Sequence, residues 1–325
     1  MNKLMTRSVI LAFGLIAAST PAFAQYPEKD IRVIMPWGAG GGADSIVRKI
    51  MSIAEDELPT SIYIENIEGG ISSIGINQVM AARPDGYTYG ALTYDSVITV
   101  PWRELLADYS LDRLDLIARL TSEPNALMVG TQSEFETYED LVAAAQAEPG
   151  SITIGVHGLG SMPHLTMLEL ENETGLDFRP ISYPDGSAGQ REAILSGEID
   201  AAITSLGDFA PLIDSGDVRG LVEFSDTENP SYSEVPISAE VGLELQTGSF
   251  LIIAGPAGLP EDVKTTFVDA VKTAFDSEEF QDWVAGVGVT ASWSGPDEVT
   301  EWVQSLQADI FAQLDRLAAD GVIEK

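Results

Sequence analysis

The residues of this chain best suited to chemistry fall in three Gly/Ser-rich loops. The first is Gly38-Ala39-Gly40-Gly41-Gly42, between the apolar run Ile31–Met35 and a helical pattern that begins at Ala43. Four glycines in five positions let backbone N–H groups converge on an anion, aided by the positive end of the helix dipole. The second loop is His157-Gly158-Leu159-Gly160-Ser161, with His164 three residues beyond Ser161. The third is Pro184-Asp185-Gly186-Ser187-Ala188-Gly189. Ser161 is placed to cap a helix or donate to a ligand, and His164 to brace its loop or touch the ligand. Two catalytic readings compete with simple binding. Gly38 to Ala43 satisfies G-x-G-x-x-[G/A], and Glu65 lies near the spacing of a ribose-binding acid, but Pro36-Trp37 intervenes where the dinucleotide fingerprint enters directly from the strand. Ser161 and His164 invite a hydrolase reading, yet Gly158-Leu159-Gly160-Ser161-Met162 lacks the closing glycine of the G-x-S-x-G elbow. There is no D-x-D-x-D-G calcium loop, His157 and His164 lack companion metal ligands, and the absence of cysteine removes thiol nucleophiles and Cys-based clusters. Neither a catalytic residue, a metal nor a cofactor is expected.

The elements that must position these loops alternate between strand and helix. Strands are expected at 31–35, 61–65, 87–93, 116–120, 126–129, 152–156, 179–182, 199–204, 218–224 and 250–254. Helices are expected from Ala43, from Ser72 or Ser73 towards Ala82, after Gly189 to Leu195, and over 138–147, 162–173, 206–213, 261–275 and 297–317. The stretch with Pro101 and Trp102 reads as less regular. This alternation predicts an α/β protein with parallel sheets covered by helices, and in such sheets ligands sit beyond the carboxyl ends of the strands. Several Gly/Ser loops at equivalent places in consecutive units point to a cleft between two lobes.

Lys3 and Arg7 precede an apolar segment, Ser8 to Ala18, and Ala22-Phe23-Ala24 reads as a cleavage motif. Residues 1–24 are therefore expected to be a signal peptide, and the mature chain to begin at Gln25 in the periplasm. The apolar run is shorter than the ~20 residues that span a bilayer. The formal charge is −34, and becomes −36 once Lys3 and Arg7 leave with the leader. Such a chain repels nucleic acid and anionic membrane surfaces. The acids are dispersed, as at Glu134-Phe135-Glu136 and Asp276 to Glu279, which suits a solvated surface in saline surroundings where ions screen self-repulsion.

The chain resembles the periplasmic substrate-binding proteins of tripartite tricarboxylate transporters, the Bug family. The likeness is carried by Tyr26-Pro27-x-Lys29-x-Ile31-Arg32, by Pro36-Trp37-x-Ala39-Gly40-Gly41-Gly42-x-Asp44, and by Glu65-Asn66 with the turn that leads to Ile74-Gly75. It continues through Arg83-Pro84-Asp85-Gly86-Tyr87-Thr88, Gly155-x-x-Gly158-x-Gly160-Ser161-x-x-His164-Leu165, Leu195-x-Gly197-x-x-Asp200, Val235-Pro236 and Gly255-Pro256-Ala257-Gly258-x-Pro260. The resemblance implies a two-lobed periplasmic-binding-protein fold of the type II, Venus-flytrap kind, with lobe one from 25–125 and 226–325 and lobe two from 126–225. It implies a monomeric receptor, not an enzyme, that holds a small carboxylate between the lobes and delivers it to membrane permease subunits. By position, Ala39, Gly40, Gly41 and Gly42 would supply amides, Ser72, Ser73 and Thr93 further donors, and Trp37 a wall. Ser161, His164, Gly186, Ser187 and Ala188 would face them from lobe two. Two departures stand out. The family's Tyr-Lys-Gly is Tyr183-Pro184-Asp185-Gly186 here, and Asp95 follows the third strand, so the chain suits a ligand with an amine or hydroxyls beside its carboxylate. The rival readings are an exported Ser/His hydrolase and the ligand-binding component of a sensory system.

Overall fold

A computed structural model describes residues 26–183, 187–226 and 228–325. The expected leader, the cleavage point and Gly186 lie outside these residues. Lobe one opens with β1 (Ile31–Met35), α1 (Gly42–Ala54), β2 (Ile62–Asn66), α2 (Ser73–Ala81) and β3 (Thr88–Leu92), with β1 parallel to both β2 and β3. Strand alternation sorts the side chains onto two faces. Ile31, Val33 and Met35 pack with Ile46, Val47 and Ile50 of α1, whereas Ile34 packs with Ile76 and Val79 of α2. Burial of each such side chain contributes about 1.5–3 kcal/mol before chain entropy is set against it.

The stretch that reads as irregular folds into two short helices, α3 (Tyr94–Val97) and α4 (Thr99–Trp102). Pro101 falls in the first turn of α4, where its missing N–H costs no helical hydrogen bond. A larger difference follows. The two strands expected at 116–120 and 126–129 are one 17-residue strand, β4 (Leu114–Gly130). Pro124 suggests a break, but it marks a change of partner. Leu114 to Pro124 pair antiparallel with β9 (Gly248–Pro256), whereas the segment from Asn125 onward pairs antiparallel with β7 (Ala201–Ser205) and β8 (Val218–Glu223). A proline that cannot donate is tolerated where the ladder is handed from one sheet to another.

Lobe two comprises α5 (Tyr138–Ala147), β5 (Thr153–Val156), α6 (Met162–Thr174), β6 (Arg179–Ser182), α7 (Ser187–Ser196), β7, α8 (Leu206–Asp214) and β8. β5 is parallel to β6 and β7. The expectation of parallel sheets thus holds for β1–β3 and β5–β7 only. β4, β8, β9 and β10 (Thr290–Ser294) enter antiparallel pairs, because the chain leaves lobe one and returns beside its own exit. The return is pinned at the crossing: Phe224 N–H donates to Asn125 O (2.7 Å), and Asn125 N–H donates to Thr247 O (2.9 Å).

Lobe one is completed by α9 (Glu261–Asp276), α10 (Glu278–Gly286), β10 and α11 (Pro296–Ala319). Tyr89 of β3 stacks on Phe267 of α9 with centroids 3.8 Å apart. The helix α10 was hidden in the acidic run Asp276 to Glu279. Ser277 caps it by accepting the Phe280 N–H, and acids in the first turn suit the positive helix end. The first turns of α6 seat lobe two on lobe one: Met162 and Leu165 join the cluster that contains Tyr94 and Phe250. Nearby, Asn125 Nδ2 donates to Thr166 Oγ1 (2.7 Å) beside the crossing strands.

Candidate ligand-binding cleft

The parallel strands of both lobes end at the loops singled out above. In lobe one, Gly41 is the N-cap of α1 and has no side chain to accept from the first helical amides. The N–H groups of the first turn therefore carry the positive helix end with no capping side chain. Gly40 turns through a left-handed conformation (φ +83°), and its N–H donates to Asp44 Oδ2 (2.8 Å). Asp44 is buried, and also accepts from Arg48 Nε (2.9 Å) and Asn66 Nδ2 (2.9 Å). Burial works against its ionisation, but the Arg48, Gly40 and Asn66 bonds prevail and hold its carboxyl below the usual range. Asn66 Nδ2 also donates to Trp37 O (2.8 Å), so Asp44 and Asn66 fix both arms of the glycine loop. Ala39, Gly40, Gly41 and Gly42 are all exposed.

The hydroxyls named from the sequence form a chain behind this loop. Trp37 Nε1 donates to Thr93 Oγ1 (3.1 Å), Thr93 N–H to Ser96 Oγ (3.1 Å), and Ser96 Oγ to Ser72 Oγ (3.2 Å). Trp37 is half-buried against the core. Ser72 occupies the N-cap of α2 in a left-handed conformation (φ 73°), but its hydroxyl accepts from Ser96 and does not cap the helix. Ser73 is the first residue of α2 and is buried.

In lobe two, Ser161 is the N-cap of α6 and accepts the His164 N–H (3.5 Å). His164 braces the loop: its Nδ1 accepts the Gly160 N–H (2.9 Å), so the ring is neutral with its proton on Nε2. Burial, with the Arg103 guanidinium nearby, brings its pKa down to about 4. The Ser161 N–H is also spent, on Gly158 O (3.1 Å). The lobe-two loop therefore spends the Gly160 and Ser161 amides on its own neighbours, while the lobe-one loop keeps its first-turn amides. Ser187 begins α7 and donates to Asp208 Oδ1 (3.3 Å), and Ala188 beside it is exposed.

Six further residues belong to the region where the lobes meet: Asp208, Thr204, His157, Asp95, Glu123 and Arg103. Asp208, in the first turn of α8, accepts from Thr204 Oγ1 (2.5 Å), and Thr204 in turn contacts His157 Nε2 (3.2 Å). A Cβ on Gly42 would lie 3.7 Å from Asp208 Oδ1, so the lobe-one glycine loop and the start of α8 face each other across a space of atomic dimensions. Asp95 accepts from Thr99 Oγ1 (2.6 Å); burial raises its pKa, opposed by that bond and by His157 and Arg103. Glu123 on β4 accepts from Thr121 Oγ1 (2.7 Å), and burial, reinforced by the Asp208 charge, pushes its carboxyl up to about 7. Arg103 donates to Leu159 O (2.6 Å) from the other lobe. The signal that could have found Asp208 is its spacing from Ser205, which caps α8 by accepting the Asp208 N–H. Arg103 and Glu123 carry no local signal. Among the described residues, no group of three or more His, Asp or Glu side chains is placed to hold a metal, and no helix is long and apolar enough to cross a membrane.

Two α/β lobes joined by crossing strands, with the lobe-one glycine loop facing the start of α8 in lobe two, define a periplasmic binding-protein fold. The chain belongs to the family described as "Tripartite tricarboxylate transporter family receptor", whose profile matches residues 46–309. The members of that family are solute-binding receptors and not enzymes. A Cupriavidus necator protein, the "UPF0065 protein in gbd 5'region", is 28% identical over 278 residues, 84% of this chain and 83% of its own. A Rhodopseudomonas palustris protein solved with adipate superposes with a TM-score of 0.80 at 23% identity, covering 89% of this chain and 97% of that one. A second, MatC with bound malate, gives 0.75 at 21% identity over 87% and 98%. These two likenesses show the fold.

Proposed function

We propose that the chain is exported through cleavage before Gln25, captures a small organic acid between its lobes, and delivers it as a monomer to the permease subunits of a tripartite tricarboxylate transporter. Lobe one comprises residues 25–125 and 226–325, and lobe two 126–225. The observation that carries this reading is the uncapped α1 N-terminus within reach of lobe two. A chain of charge −34 cannot draw in an anion by its overall field, so affinity must come from local dipoles. The amides of Ala39, Gly41 and Gly42 receive a carboxylate, with Ser72, Ser73 and Thr93 as supporting hydroxyls and Trp37 as a wall; the Gly40 N–H, expected to join them, is spent on Asp44. Ser161, His164 and the Gly186–Ala188 turn close the site from lobe two. The acids Asp95, Glu123 and Asp208 support a ligand that carries hydroxyl or amine groups beyond its carboxylate. The relatives solved with malate and adipate support the carboxylate class.

A thermal-shift screen against hydroxy-, amino- and unsubstituted di- and tricarboxylates tests the reading. A ligand at 100 times its dissociation constant stabilises the folded chain by about 2.7 kcal/mol. A hit among the hydroxy or amino acids is the expected outcome. No shift from any carboxylate contradicts the proposal.

A further inference from the structure

Arg103 follows α4 in lobe one, yet its Nη2 donates to Leu159 O in the lobe-two glycine loop at 2.6 Å. The other end of the same peptide unit is also held, because the Gly160 N–H donates to His164 Nδ1 at 2.9 Å. One peptide plane is thus fixed from both lobes, by a guanidinium on its carbonyl and an imidazole on its amide. The packing is close: a Cβ on Gly160 would lie 2.7 Å from Arg103 Nη2, so a side chain there would displace the guanidinium from its present place. Gly160 also holds a left-handed conformation (φ +82°) that favours glycine. The Arg103 Nε–H is buried with no hydrogen-bond partner among the described residues.

We propose that Arg103 is a positioning residue for ligand capture, bridging the lobes by holding the Leu159–Gly160 peptide of lobe two against lobe one. A charge-assisted bond from a guanidinium to a carbonyl is among the stronger hydrogen bonds. Its partner is a backbone carbonyl in a loop that must move when the lobes part, so the bond exists only when they are together. A ligand carboxylate that accepts from Nε would tighten the same guanidinium and bias the lobes towards closure, because only the closed form offers contacts from both sides.

The inference rests on the two-lobed reading above but needs no ligand, so a failed ligand screen and a failed bridge are distinguishable. The chain has no cysteine, so Asn77→Cys on α2 and Glu192→Cys on α7, both exposed, give a unique pair for spin labels. Electron–electron resonance distances are then read on the full chain with native Arg103, with Arg103→Met, and with Arg103→Lys. Loss of the bridge is expected to move the open-to-closed ratio by about tenfold towards open. Arg103→Lys, which keeps one cationic donor, is expected to recover part of the short-distance population. Gly160→Ala attacks the contact from the lobe-two side, and decides the matter if Arg103→Met fails to fold. It is expected to open the lobes alone and to add nothing to Arg103→Met. An unchanged distance distribution in folded Arg103→Met or in folded Gly160→Ala overturns the proposal.

Discussion

Asp44 holds together the glycine loop that carries the open amides. It is buried and accepts from Gly40, Arg48 and Asn66, so its removal strands three donors. Asp44→Ala is expected to cost about 1.5–3 kcal/mol in urea denaturation, the worth of hydrogen bonds made to a charged carboxylate. A cost below a few tenths would mean the loop does not depend on it. His164 gives a pH signature. Its Nδ1 accepts a backbone N–H and its pKa falls from 6.5 to about 4, so the folded state disfavours the proton that the unfolded chain takes up near 6.5. Its contribution is full above pH 6.5, falls as the pH drops towards 4, and levels off below, with a ceiling on the order of 3 kcal/mol. Urea melts at pH 7.5 and 4.5 should show a smaller pH difference in His164→Gln than in the native chain. An equal difference would place the effect on another group. The sequence reads Ser161 and His164 as a capping residue and a brace or ligand contact; the structure has both the cap and the brace. That Gly40 spends its amide on Asp44 was not legible, since the bond depends on the positive φ of one glycine among four.

At the level of the elements, β4 decides how the lobes are joined. The sequence shows two apolar runs either side of Pro124, and nothing local says that they are one strand serving two sheets. Pairing partners more than a hundred residues away, Gly248 to Pro256, settle it. The antiparallel entries of β8 and β9 were illegible for the same reason, whereas β1–β3 and β5–β7 followed from alternation and glycine turns. Glu123 lies next to Pro124 on this strand, and burial with Asp208 opposite raises its pKa from 4.5 to about 7. The folded state then keeps a proton that the unfolded chain loses from about 4.5 upward. Stability from this group is full at low pH and falls as pH rises from 4.5 to 7. Glu123→Gln is expected to be more stable than the native chain by about 1–3 kcal/mol at pH 8 and equal to it near pH 4. A gain of the same size at both pH values would point to packing and not to charge.

The whole molecule combines a strongly negative formal charge with the anion site proposed above. The formal charge of −34 opposes compaction, and added salt relieves it by shortening the screening length from about 30 Å at 0.01 M to about 3 Å at 1 M. The melting temperature is therefore expected to climb with NaCl over that range, and a flat curve would contradict a surface suited to saline surroundings. Binding must then be a local matter of amides and hydroxyls. Gly42 offers the most direct test of it, because its backbone is not left-handed and an added Cβ meets nothing closer than Asp208 Oδ1 at 3.7 Å. The backbone accepts a Cβ there, and side-chain atoms beyond it fill the space between the α1 amides and Asp208. The deciding measurement is a calorimetric titration of the acid that gives the strongest thermal shift, into the native chain and into Gly42→Val. The predicted result is native binding weakened by at least about 30-fold, roughly 2 kcal/mol, with an unchanged melting temperature for the ligand-free variant. Equal affinity in the two proteins would mean that the carboxylate does not sit at the glycine loop, and would contradict the account.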